Sequence, residues 1–182
     1  MKKEKNWRII ITRRNYEQKL VKTFMRRGVQ SFCPHCTFTS PHDGHTLSEK
    51  KPLFASMLFL YIDDQEMKTV INTRGVINFL YWMNSPAIIP HRDISHIYNF
   101  VNSFSNIQIE KCEVMVDIIP GDPVIAEDEK AGIVSVQLNS IGYRMVTKKE
   151  NLYLKGHRLP VIRELYKLPA FSLNNSLNLA SV

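Results

Sequence analysis

Cysteine is scarce in this chain. Its 182 residues hold three, Cys33, Cys36 and Cys112. A small odd number does not build a disulfide framework, so a packed core has to hold the fold. Glycine is sparse at seven and proline stands at nine, which excludes collagen-like and Gly/Pro-rich low-complexity architectures. No apolar run approaches the ~20 residues that span a bilayer. The opening MKKEKNWRIII has the basic start of a signal peptide, but Arg13 and Arg14 end its apolar run too early. A cytoplasmic protein with no membrane partner is expected. Acids are the minority, 17 against 24 Lys and Arg, for a net charge of +7.

Signatures of catalysis are also missing. The chain has no P-loop, GxGxxG or HExxH, and no GxSxG elbow. His91 and His96, five residues apart, fall on different faces of a helix. Glu127, Asp128 and Glu129 read as a solvated acidic turn. A non-enzyme without a cofactor is expected.

What is present is a charge asymmetry and a clear periodicity. Residues 1–51 carry twelve Lys/Arg against four acids, which points to a nucleic-acid-facing amino-terminal half or, more plainly, to a solvated basic helix face. WRIIIT (7–12) reads as a buried strand. Asn15, with Gln18 three residues on, predicts a capped helix. Its apolar stripe is Tyr16, Leu20, Phe24, Val21 and Met25, its basic side Lys19, Lys22, Arg26 and Arg27, and its stop Gly28. Residues 29–39 lean to strand and SPHDGH (40–45) to a turn. MLFLYID (57–63) reads as a central strand. Asp63 or Asp64 caps a short helix with Met67, Val70 and Ile71 inward. VINFLYWM (76–83) is a further strand. A helix follows Pro90 with Ile94, Ile97, Tyr98 and Val101 on its stripe. This order predicts an α+β fold, one sheet layer covered by helices. Beyond NSFSN (102–106), EVMVDII, DPVIAEDE, AGIVSVQL and YRMVTKK alternate with turns, enough strands for a small barrel. A helical turn is expected at 161–168, with a tail over 156–182.

Five segments in order resemble the NusG family. WRIIITRRNYEQKL is similar to its opening strand and helix, with Trp7 and Glu17 at the matching positions. FCP (32–34), KPLFASMLFLYID (51–63), TRGVINFL (73–80) and SPAIIPHRDI (85–94) follow. The likeness is strongest to specialised paralogues of the RfaH and UpxY type. Ala55, Ser56 and Met57 stand where the family has Pro-Gly-Tyr or Pro-Asn-Tyr. PGDPVIA and VSVQLNSIGYRMVTKKENL resemble a shortened KOW module. The resemblance implies an antiparallel four-stranded sheet flanked by helices over 1–103, a linker at 104–112 and an SH3-like barrel at 113–155. It implies a transcription elongation or antitermination factor on the clamp region of RNA polymerase. The partner patch would be Ile11, Phe54, Met57, Phe59, Ile94 and Ile97. Arg13, Arg14, Lys68 and Arg74 would contact an exposed DNA strand or nascent RNA. A general RNA- or ribosome-binding module is the alternative.

A third alternative is a zinc protein built on FCPHCTFTSPHDGH (32–45), with Cys33, Cys36, His42 and His45 as ligands. Along a strand, residues three apart lie about 10 Å apart and face opposite ways. Thiolates on one zinc must approach within about 4 Å. A continuous strand through Cys36 therefore argues against the site.

Overall fold

A computed structural model describes residues 4–82, 84–111, 125–128, 132–138, 140–148 and 150. The chain opens with β1 (Asn6–Thr12), α1 (Glu17–Arg26) and β2 (Gln30–Phe32). Next come β3 (His35–His42), β4 (His45–Pro52), β5 (Met57–Ile62) and α2 (Asp64–Ile71). The short strands β6 (Val76–Phe79), β7 (Tyr81–Trp82), β8 (Ser85–Pro86) and β9 (Ile88–Ile89) lead into α3 (His91–Ser103). The last elements are β10 (Gln108–Lys111), β11 (Ile125–Asp128), β12 (Ile133–Leu138) and β13 (Tyr143–Lys148).

The main sheet runs β2-β5-β1-β6, with β9 also paired to β1, and every pairing is antiparallel. This is the expected four-stranded sheet with one short strand added. β1 is central, so its two faces are both buried and it is apolar from Trp7 to Ile11 except for Arg8, which is buried and pairs with Asp64. Alternation splits the core. Ile10, Leu58, Leu60 and Ile62 meet Leu20 and Phe24 of α1 and Val70 of α2 on one face. Trp7, Ile9 and Phe59 meet Ile94, Ile97 and Phe100 of α3 on the other.

Several local expectations change. Asn15 is not the helix cap: its φ is +63°, and Tyr16 precedes α1 without a side-chain cap bond. The capping box sits on α2 instead. Asp63 accepts from the Gln65 and Glu66 amides, and Glu66 accepts from the Asp63 amide. Met25 and Ile71 point to solvent. The run 76–83 is not one strand, because after Leu80, whose amide still donates to the Ile9 carbonyl, the chain leaves β1 and folds into the β7–β8 pair. A bulge at Ile11/Thr12 pushes Ile77 outward. Residues 29–39 break after Phe32, and β3 pairs with β4 in a long exposed hairpin turned at Asp43-Gly44.

The second sheet is antiparallel, in the order β10-β13-β12-β11. Its end strands do not pair with each other among the described residues, so no closed barrel is seen. One reason is the origin of its first strand. Residues 104–112, expected as a linker, hold β10, and Phe104 and Ile107 are buried just before it. The expected strand at 113–119 and helical turn at 161–168 lie outside the described residues. Val134, Val136, Leu138 and Met145 of the second sheet join the α3-side core. The two sheets thus share one hydrophobic cluster.

Candidate partner face and basic margin

The α3-side face of the main sheet collects the six candidate partner residues. Phe59 and Ile97 are fully buried, and Phe54 and Ile94 nearly so. Ile11 and Met57 are opposite each other in register and half-buried at the rim. The second sheet covers the centre of this face. Tyr143 packs edge-on against Phe54 with ring centroids 6.0 Å apart, and Phe54 packs in turn against Phe59 at 5.7 Å. Ser140 donates to the buried carboxylate of Asp93 at the start of α3. Thr147 Oγ1 donates to the Ser105 carbonyl at 2.9 Å.

The turn that presents Phe54 is held from behind by Glu17. This carboxylate is 4% exposed, and its Oε1 accepts from the Ser56 amide at 2.8 Å. Ser56 sits at φ +60°, and its carbonyl accepts from the Thr12 amide. A left-handed non-glycine residue needs such outside support. The matching family position of Glu17 gave a signal for this role, but only the fold brings residues 17 and 56 together.

At the first residue of α3 the indole Nε1 of Trp7 donates to His91 Nδ1 at 3.1 Å. Burial holds the His91 imidazole below its ordinary pKa. The same cause lowers His35, which hydrogen-bonds the Cys33 carbonyl through Nδ1.

Arg13, Arg14, Lys68 and Arg74 are all exposed. The Arg13 amide donates to the Gly75 carbonyl at 2.8 Å, which brings Arg13 beside Arg74. Gly75 is at φ +103°, and a Cβ there would collide with the Tyr16 ring, so the close approach of α1 to β6 needs a glycine. Lys68 lies on α2 and is not tied to this group by any bond among the described residues. Lys19, Lys22 and Arg26 line the solvent side of α1. No salt bridge involves Arg13, Arg14, Lys19, Lys22 or Arg26 among the described residues. The basic surface therefore continues from the β1–α1 corner along α1, beyond the four positions expected from sequence.

The four candidate zinc ligands are kept apart. Cys33 packs with the α1/α2-side cluster and Cys36 lies in the α3-side cluster. Burial, then the charge of Glu17, pushes the Cys33 thiol up to about 12. Cys36 is raised by burial as well. His42 and His45 face each other across the hairpin tip, six or more residues along the ribbon from Cys36, roughly 20 Å at strand spacing. Among the described residues no group of three or more His, Cys, Asp or Glu is arranged to hold a metal ion.

A structural comparison finds 22 solved chains that match. One is Thermotoga maritima NusG, whose structure concerns its domain interaction. The likeness has 16% identity and a TM-score of 0.43, and covers 84% of this chain and 98% of that one. The family model for the transcription termination factor NusG matches residues 5–98, which is more than half of the chain and takes in the main sheet with most of α3. The chain belongs to the NusG family. Factors of this family are non-catalytic and interact with RNA polymerase, and membership makes this chain a transcription elongation/termination factor. No helix among the described residues is long and apolar enough to cross a membrane.

Sequence reasoning missed two features. Tyr81 and Trp82 are half exposed on the β7–β8 pair, with Ile88 nearby. Asn106, within a stretch expected as a linker start, makes three hydrogen bonds to the β3–β4 hairpin.

Proposed function

We propose that the chain is an elongation and antitermination factor that docks on the clamp region of RNA polymerase through Ile11, Phe54, Met57, Phe59, Ile94 and Ile97. The observation that carries this reading is their convergence on one sheet face, four at its centre and two at its open rim. A concave apolar face of this kind accepts side chains of a partner helix. Its centre is occupied by the chain's own second sheet, so docking and that cover exclude one another. The partner meets Ile11 and Met57 first and the centre after the second sheet has left. Arg13, Arg14 and Arg74, with Lys68 further along α2, contact phosphates of an exposed DNA strand or nascent RNA. These side chains stay accessible whether the apolar face is covered or not.

The decisive substitution is at the rim. Phe54→Asp would place a charge in the shared core and unfold the face it is meant to test. Met57→Asp leaves the centre intact. Co-migration of the full chain with RNA polymerase is expected to weaken at least tenfold for Met57→Asp, while the thermal midpoint moves little. Undiminished co-migration of the folded variant would remove the patch from the proposal.

A second reading, a general RNA-binding module, draws on the unpaired basic side chains of the β1–α1 corner and α1. Filter binding to RNA with and without polymerase is the arm that separates the two. Tight RNA binding that polymerase does not alter favours the second reading.

A further inference from the structure

Two pieces of the molecule meet at residues 105–107. On one side is β3 of the long hairpin. The Asn106 amide donates to the Thr37 carbonyl at 2.9 Å. The Asn106 side chain accepts from the Thr39 amide at 2.8 Å and donates to Thr39 Oγ1 at 2.8 Å. One residue on, the Ile107 amide donates to Cys36 Sγ at 3.4 Å, and both residues are buried. On the other side is the second sheet. Thr147 of β13 donates to the Ser105 carbonyl, and Gln108 is already in register with Val146. Asn106 itself sits at φ +50°, a conformation that asparagine tolerates better than most residues.

We infer that Asn106 is a latch that couples the β3–β4 hairpin to the second sheet, so that the hairpin keeps its present direction only while that sheet is seated. Asn106 lies two residues before Gln108, a span of about 7 Å. β10 is hydrogen-bonded into the second sheet and leaves with it. A hinge has to fall between Ser103, the last residue of α3, and Gln108. Thr147 of the same sheet holds the Ser105 carbonyl, so Ser105 leaves with the sheet and the turn falls at Ser103–Phe104, which carries the backbone of Asn106 away from Thr37 and Thr39. The hairpin then keeps its holds near the base, where His35 meets the Gln18 side chain and Phe38 packs on the α3-side cluster, and loses the one further out. Beyond Thr39 its residues are exposed on both strands, so the Asn106 clasp at Thr37 and Thr39 is the outermost hold on the hairpin among the described residues.

The chain carries its own reporter. Cys36 is fully buried at this junction, and opening exposes its thiol to alkylation. Tyr143→Ala loosens the second sheet at its contact with Phe54, leaving the Asn106 clasp itself unaltered. In the full chain, peptide-resolved alkylation of Cys36 and amide hydrogen exchange of Thr39 are measured together. Both are expected to accelerate by a common factor of roughly five to thirty. Faster Cys36 alkylation with unchanged Thr39 exchange would overturn the coupling, and so would no change in either. Thr147→Val, a smaller change in the same sheet, is the substitute if Tyr143→Ala does not fold. Asn106→Gly keeps the positive φ and removes only the side-chain clasp. It is expected to speed Cys36 alkylation on its own, and an unchanged rate would show that the latch lies elsewhere. None of these readouts uses polymerase, so their failure leaves the proposed function standing.

Discussion

The two faces of the main sheet are closed in different ways. One is sealed by α1 and α2, elements that follow their strands directly in the chain. The other is sealed by α3 and by a second sheet whose strands come from residues 108–148. The first closure is local and permanent. The second depends on a covering layer joined through one short junction, and it lies over the residues assigned to the partner. A face meant to stay shut is closed by neighbours in sequence. The face proposed to be shared is closed by a distant segment.

The largest effect tests the permanent face. Leu60 is fully buried against α1 and α2. Leu60→Ala is expected to destabilise the fold by about 2–5 kcal/mol, read as a fall in the denaturant midpoint. Met145→Ala, on the covering sheet, is the counterpart. It is expected to expose Cys36 to alkylation before global unfolding. Equal behaviour of the two variants would erase the distinction between the faces.

A smaller effect comes from the link between the faces. Glu17 belongs to α1 but holds the Ser56 amide beside Phe54. Glu17→Ala leaves that amide without its partner and is expected to cost about 1–3 kcal/mol, with Gln restoring most of it because its carbonyl can accept the same bond. Denaturant unfolding of the pair measures the difference.

The smallest effect is in pH. Burial lowers the pKa of His91, whose ring nitrogen accepts from Trp7. The folded state therefore binds its proton less readily than the unfolded state. The stabilising contribution is complete above the ordinary histidine pKa of about 6.5 and is lost as pH falls through the lower folded value. Part of any loss belongs to His35, lowered by the same cause. Unfolding curves between about pH 7 and 5 should flatten in His91→Gln. An unchanged slope would assign the pH dependence elsewhere.

The short apolar runs WRIIIT and MLFLYI, and the stripe of Leu20 and Phe24, were enough to foresee the buried strands and the helices. Hydrophobic period is a local property and survives without the fold. The partner residues were legible only as a set. Their burial was not, because cover by Tyr143, Met145 and Val136 depends on a contact between segments some ninety residues apart. Asn15 misled for a related reason. It has the chemistry of a cap, yet the close packing of Tyr16 over Gly75 puts it in a left-handed turn instead. The zinc-like spacing of Cys33 and Cys36 dissolved once the strand break at Cys33-Pro34 sent the two thiols into different clusters.

By itself, then, the sequence determined which residues are apolar at strand and helix periods, where the basic residues concentrate, and through five ordered segments which family the chain belongs to. Tertiary structure alone decided that 104–107 is a largely buried junction and 108–111 a strand, that the candidate partner face is covered, and that Asn106 clasps the hairpin. These follow from hydrogen bonds and packing between distant segments. A one-dimensional pattern carries no record of such contacts, because every residue in them is locally free to do something else.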